Sequence, residues 1–155
     1  MSQQPLAFRL RPANIDEIIG QSHLVAEGKT INRMIKAERL ASMILFGPPG
    51  TGKTSMATAL AKSLNIPHKT LNAVTDKKKD MEIAVEEAKM HGQLVLILDE
   101  VHRLDKAKQD FLLPHLESNR LTMIGCTTSN PYHSINPAIR SRCHLFELFR
   151  LDSDH

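Results

Sequence analysis

The chain has 155 residues, 41% hydrophobic and 24% charged, with a formal net charge of +3 at pH 7; this is ordinary composition for one globular domain and excludes a disordered or low-complexity chain. No apolar run approaches the ~18 residues of a membrane span, and Met1-Ser2-Gln3-Gln4-Pro5 lacks the charged start and apolar core of a secretory signal. Cys126 and Cys143 form no Cys-x-x-Cys pair and no disulfide framework, so reduced thiols in a cytoplasmic protein are expected. The charge is compatible with nucleic acid without arguing for it, and one Tyr, no Trp and five Phe leave little for base stacking.

Residues 1–41 read as a lead-in. Arg11-Pro12 breaks regularity, Asp16-Glu17 marks an acidic turn before Ile18-Ile19-Gly20-Gln21, and a helical stretch ends near Leu40. A core domain is expected over 42–151, with 152–155 as a tail. Met43 to Phe46 is the first strand, and a helix follows over about Ser55 to Leu64. Pro67 punctuates, and His68-Lys69-Thr70-Leu71 is a short strand leading to Asn72. The basic run Lys77-Lys78-Lys79 lies between Asp76 and Asp80; it is either a solvated surface turn or a contact for a phosphate backbone.

Residues 78–91 space Met81, Ile83, Ala84, Ala88 and Met90 roughly as one helical face, with Gly92 as the cap. Leu94-Val95-Leu96-Ile97-Leu98 is apolar without alternation, the pattern of a parallel strand buried on both faces. A helix is expected over about 106–117, kinked or shortened by Pro114. A strand follows at Leu121 to Cys126, then a short helix from Asn136-Pro137 to about Ser141, then a last strand from His144 to Phe149. Strands alternating with helices give an α/β parallel five-stranded sheet with helices on both faces, and ligands then bind beyond the strand carboxyl ends.

The first strand runs straight into Gly47-Pro48-Pro49-Gly50-Thr51-Gly52-Lys53-Thr54, which matches G-x-x-x-x-G-K-[ST] between a strand and a helix. Glycines there let the backbone curl so that successive N–H groups face phosphate oxygens, and the helix N-terminus adds its positive end. Gly47, Pro48, Pro49, Gly50, Thr51, Gly52, Lys53, Thr54 and Ser55 are therefore the candidate nucleotide contacts. Lys53 reaches the β- and γ-phosphates, and Thr54 offers its hydroxyl to Mg²⁺.

Asp99-Glu100 ends the buried strand and supplies the second half of such a site. Asp99 is the candidate Mg²⁺ ligand, through water, and Glu100 the candidate base that orients and deprotonates the attacking water. Thr127-Thr128-Ser129-Asn130 ends the next strand, where Thr128, with Asn130 second, is placed to reach the γ-phosphate or the water; the same residue types also suit a plain strand-to-loop transition. Arg142 is a candidate for stabilising transition-state charge in a neighbouring subunit, although spacing alone favours a surface arginine. His102 follows as Asp-Glu-Val-His, without His-Glu-x-x-His spacing, so packing or a hydrogen bond behind the site is expected and zinc is not. Superfamily-two helicases share those four letters only.

Arg11-Pro12 with Ile15-Asp16-Glu17-Ile18-Ile19-Gly20-Gln21, the phosphate loop, Asp99-Glu100-Val101-His102-Arg103 and Ser141-Arg142-Cys143 together resemble the clamp-loader branch of the AAA+ ATPases. Within that branch, residues 71–75, 106–117 and 125–132 resemble the replication-associated recombination family RarA/MgsA, to which the Werner helicase-interacting proteins are related. The resemblance runs from about Pro5 to Leu148. It implies a P-loop NTPase fold binding ATP and Mg²⁺, with Arg11, Pro12, Ile18 and Ile19 lining the adenine pocket. It also implies Thr128 as first sensor, Arg142 as an arginine finger acting in trans, and Asn72 as a restraint on Glu100 until DNA engages.

The same resemblance implies oligomers that act on DNA forks, ends or single-strand/duplex junctions, a single-strand DNA-binding protein as partner, and a nucleoid-associated role in replication, recombination and repair. Such proteins continue beyond Leu148 with a helical lid and an oligomerising domain. This sequence therefore reads as a piece of a longer chain, without the lid and with weak hydrolysis of its own. The competing readings are an ATP-gated switch that does not hydrolyse, and a clamp-loader or Holliday-junction motor subunit of the same branch. Glu100 speaks against the pure switch, since a subunit that only binds needs no general base.

Overall fold

The computed structural model describes residues 31–149 apart from Asn32 and Asn119. The expectations for Arg11, Pro12, Ile18 and Ile19, and for the tail at 152–155, lie outside the described residues. The elements in order are β1 (Met43–Phe46), α1 (Lys53–Ser63), β2 (His68–Asn72), α2 (Lys78–His91), β3 (Leu94–Asp99), a 3₁₀ turn (Val101–Arg103), α3 (Lys106–Leu116), β4 (Leu121–Thr127), α4 (Pro131–Ser134), α5 (Pro137–Arg140) and β5 (His144–Glu147). The five strands form one parallel sheet in the order β2-β3-β4-β1-β5.

β3 shows why the unbroken apolar run becomes a strand. Leu94 to Leu98 are all buried, with Val95 and Ile97 facing a cluster that contains Met56, Ala57, Leu60 and Ala61 of α1. Leu94, Leu96 and Leu98 face the other way, onto Met81, Ala84, Val85 and Ala88 of α2 and Leu112 and Leu116 of α3. Alternate side chains of one strand thus feed two cores, which requires helices on both faces. Each fully buried side chain of this kind contributes about 1.5–3 kcal/mol relative to exposure.

Several elements differ from the sequence pattern. The α2 face is Met81, Ala84, Val85 and Ala88, whereas Ile83 is 43% and Met90 78% exposed. Ile83 follows Met81 by two positions, about 200° around a helix, so it points away from the core, and Met90 shares that outer side. Pro114 lies in the last turn of α3, which ends two residues later, so it shortens the helix. The last strand stops at Glu147, two residues before Phe149. α4 is the unexpected helix: Asn130 Oδ1 accepts from the backbone N–H of Tyr132 at 2.9 Å, and Pro131 occupies the first helical position.

One glycine fixes how the sheet meets the loop. A Cβ on Gly47 would sit 2.2 Å from the Leu148 carbonyl oxygen, and the residue's φ is 150°. Gly47→Ala is therefore expected to cost about 3 kcal/mol or more in stability, through overpacking against backbone and a disfavoured φ, readable as a lowered Tm. A Tm unchanged by that substitution would mean that the β1–β5 end relaxes freely.

Candidate nucleotide site

Parallel register gathers the candidate residues at one edge of the sheet. Phe46, the last residue of β1, pairs with Thr127, Cys126 pairs with Asp99, and Asp99 pairs with Asn72. The loop after β1, the Asp99-Glu100 pair after β3 and the Thr127-Thr128 step after β4 therefore converge. Lys53, Thr54, Asn72, Asp99, Glu100, His102, Cys126, Thr127 and Thr128 line one cavity of about 290 Å³.

The loop itself is curled as its glycines require. Gly50 and Gly52 have φ of 82° and 85°, a region that L side chains rarely adopt. Gly52 is the N-cap of α1, and its carbonyl accepts the Met56 N–H at 2.8 Å. α1 has no acidic residue in its first turn and no side-chain cap. Its first N–H groups and its positive end are thus available to an anion.

Lys53 folds back over this loop. Its Nζ donates to the carbonyls of Gly47 and Pro48, each at 2.9 Å, and to Thr51 Oγ1 at 3.2 Å. Burial pulls its ammonium below the ordinary lysine range, opposed by the Asp99 carboxylate nearby. An anion entering the loop would offset that desolvation penalty by its charge and give the ammonium a better partner than neutral carbonyls. Thr51, itself buried, closes the loop by donating to the Pro48 carbonyl at 3.0 Å.

Thr54 and Asp99 meet directly: the Thr54 hydroxyl donates to Asp99 Oδ1 at 2.9 Å. A hydroxyl and a carboxylate oxygen side by side form a hard oxygen set of the kind a divalent cation such as Mg²⁺ takes, so the residues fit that ion. Ser55 is exposed at the start of α1. Glu100, also exposed, is in the left-handed region with φ 54° and ψ 43°. Such a conformation costs a non-glycine residue about 1 kcal/mol or more, and it turns the chain sharply where β3 ends.

Thr127 is the residue sequence reasoning missed. Its side chain is buried, its Oγ1 lies 2.7 Å from His102 Nδ1, and it accepts the Ser129 N–H at 2.9 Å. His102, expected to hydrogen-bond behind the site, instead lines the cavity itself; its contact with Thr127 forms part of the wall and shapes the turn that leaves Thr128 exposed along it. Asn130, the second choice for contacting phosphate, is instead committed to capping α4, because its Oδ1 already accepts from Tyr132. Asn72 lines the cavity, yet its Oδ1 accepts from Val74 and Thr75 of its own turn at 2.8 and 3.2 Å.

Arg142 is elsewhere. It precedes β5, whose first residue His144 pairs with Met43, the first residue of β1. That is the edge of the sheet opposite the loop, so Arg142 does not reach the cavity of its own chain. Cys126 and Cys143 are free, and burial pushes both thiols up to about 12, so they are neutral at physiological pH.

The ATPase family associated with various cellular activities (AAA) matches residues 43–151. The replication-associated recombination protein A of Bacillus subtilis is 66% identical over 145 residues, covering 94% of this chain and 34% of that protein. Its Escherichia coli counterpart is 44% identical over 155 residues, covering 97% and 35%. The chain thus spans about a third of the length of these curated relatives. Among solved structures, a Thermotoga maritima RuvB mutant superposes with a TM-score of 0.69 at 29% identity, covering 90% of this chain and 49% of that one. The Thermotoga maritima RuvB Holliday junction branch migration motor gives 0.66 at 27% identity, covering 83% and 45%.

Proposed function

The chain belongs to the ATPase family associated with various cellular activities, and we propose that it is the ATP-binding and hydrolysing core of a DNA-dependent ATPase of replication-fork maintenance, recombination and repair. The observation that carries the reading is the meeting of Lys53, the Thr54–Asp99 pair and Glu100 in one cavity at the carboxyl edge of the sheet. The phosphate loop supplies inward N–H groups for the β- and γ-phosphates, and Lys53 exchanges the Gly47 and Pro48 carbonyls for phosphate oxygens. Thr54 and Asp99 would hold Mg²⁺, which neutralises phosphate charge when bound. Glu100 takes the proton of the attacking water as its oxygen bonds to the γ-phosphorus and the bond to ADP breaks. Thr128 orients the water or the γ-phosphate from the neighbouring strand.

Arg142, facing away from its own cavity, acts on the nucleotide of a neighbouring copy, so the working form is an oligomer. DNA forks, ends or single-strand/duplex junctions are the proposed ligands, with a single-strand DNA-binding protein as partner; this rests on the names of the relatives and on the sequence resemblance. No helix among the described residues is long and apolar enough to cross a membrane. The reading is tested by phosphate release from ATP with and without a forked DNA bearing a single-stranded gap. Release that rises with DNA supports it, and release indifferent to DNA favours a role in which ATP only sets the state of an assembly.

The basic run gives a second handle on DNA. Lys77, Lys78 and Lys79 are exposed; Asp80 Oδ2 accepts the Lys77 backbone N–H at 2.9 Å, and Lys78 Nζ lies 5.6 Å from the Phe111 ring centre. Replacing all three with Ala is expected to reduce the slope of log affinity for DNA against log salt by about 2–3, one phosphate contact each. An unchanged slope returns the run to solvated surface.

A further inference from the structure

We infer that Glu117 is a positioning residue for Arg142, holding its guanidinium so that the terminal nitrogens face the nucleotide of a neighbouring copy. This rests on the proposed role of Arg142 in trans. Glu117 is the C-cap of α3, and Arg142 follows α5. One carboxylate oxygen, Glu117 Oε2, accepts from both Nε and Nη2 of Arg142, the Nε bond at 2.9 Å. The Ala138 carbonyl accepts from Nη1 at 2.7 Å. A guanidinium carries five N–H donors, so one remains on Nη1 and one on Nη2.

Those remaining donors sit on the terminal nitrogens, the pair that can meet two oxygens of one phosphate. The Nε side of the guanidinium is held, and one N–H on each terminal nitrogen has no partner among the described residues. The Arg142 and Glu117 side chains are 36% and 55% exposed, so the pair is accessible to a partner. An exposed ion pair contributes little to stability; what it supplies here is orientation, since an arginine left loose must be ordered each time it engages a phosphate.

The test measures ATP turnover and affinity in the protein at its natural length, beginning with Arg142→Ala. That variant should lose turnover by about 10³-fold or more while retaining ATP affinity; normal turnover would remove the finger and with it anything for Glu117 to position. Once Arg142→Ala is slow, Glu117→Ala should lower kcat about tenfold with KM for ATP nearly unchanged. Glu117→Gln, whose amide oxygen still accepts from Nε and Nη2, should recover to within about threefold of the wild type, and Glu117→Ala should add nothing to Arg142→Ala. Glu117→Ala at or above the wild-type kcat, or Glu117→Gln as slow as Glu117→Ala, overturns the inference and leaves the finger reading standing.

Discussion

Replacing Lys53 with Ala should abolish nucleotide binding, weakening ATP affinity by about 100-fold or more in an equilibrium titration, the scale expected when a charge-assisted contact to phosphate is lost. The side chain bridges three acceptors of its own loop, the carbonyls of Gly47 and Pro48 and the hydroxyl of Thr51. Gly47 and Thr51 are buried and Pro48 half-buried, but Lys53 lines the cavity, so water can enter the space its ammonium leaves and satisfy these acceptors after truncation. The fold should therefore survive, with Tm shifted by only a few degrees, and lost affinity would report on phosphate binding and not on unfolding. Lys53→Arg separates charge from shape: it keeps the cation but not the compact ammonium that fits between two carbonyls. Affinity retained in Lys53→Ala would sink the assignment of the loop as the phosphate cradle.

Glu100→Gln should bind ATP with nearly wild-type affinity and turn it over about 10²–10⁴-fold more slowly, the range associated with removing a general base. The substitution preserves volume and tolerates the same left-handed backbone about as well, so the turn out of β3 is kept. Only the capacity to accept a proton is removed. Normal turnover in this variant would place the base elsewhere. Because Lys53→Ala strikes binding and Glu100→Gln strikes chemistry, the two variants together divide the site into its two tasks.

Much of this arrangement was legible because its signals are local. A strand buried on both faces must be apolar throughout, and residues 94–98 are; a phosphate loop must place glycines where φ is positive, and Gly50 and Gly52 are there. The end of α2 at His91 is readable because Gly92 is a cap signal, and it takes the left-handed cap conformation. The α2 face is not readable at Ile83 and Met90, since apolar character alone does not say which side of a helix meets a core. Asn130 is ambiguous for a related reason: the same side chain that can contact phosphate also caps a helix, and the following Pro131 is the available sign of the cap.

Thr127 and Glu117 lay beyond sequence reasoning. Thr127 gains its place from His102, twenty-five residues earlier, and Glu117 from Arg142, twenty-five residues later. Neither pairing leaves a spacing that a single sequence reveals. What the chain order did convey was that the loop, the acidic pair and the Thr127-Thr128 step all follow strands, which a parallel sheet turns into one shared edge.

The most direct test of the site is a crystal structure of the Glu100→Gln protein with ATP and Mg²⁺. The proposed site puts the β- and γ-phosphates against the N–H groups of residues 50–54, the Lys53 ammonium moved from the Gly47 and Pro48 carbonyls onto phosphate oxygen, and the metal beside Thr54 and Asp99. A nucleotide bound elsewhere, or Lys53 still resting on its loop carbonyls beneath a bound triphosphate, would contradict it.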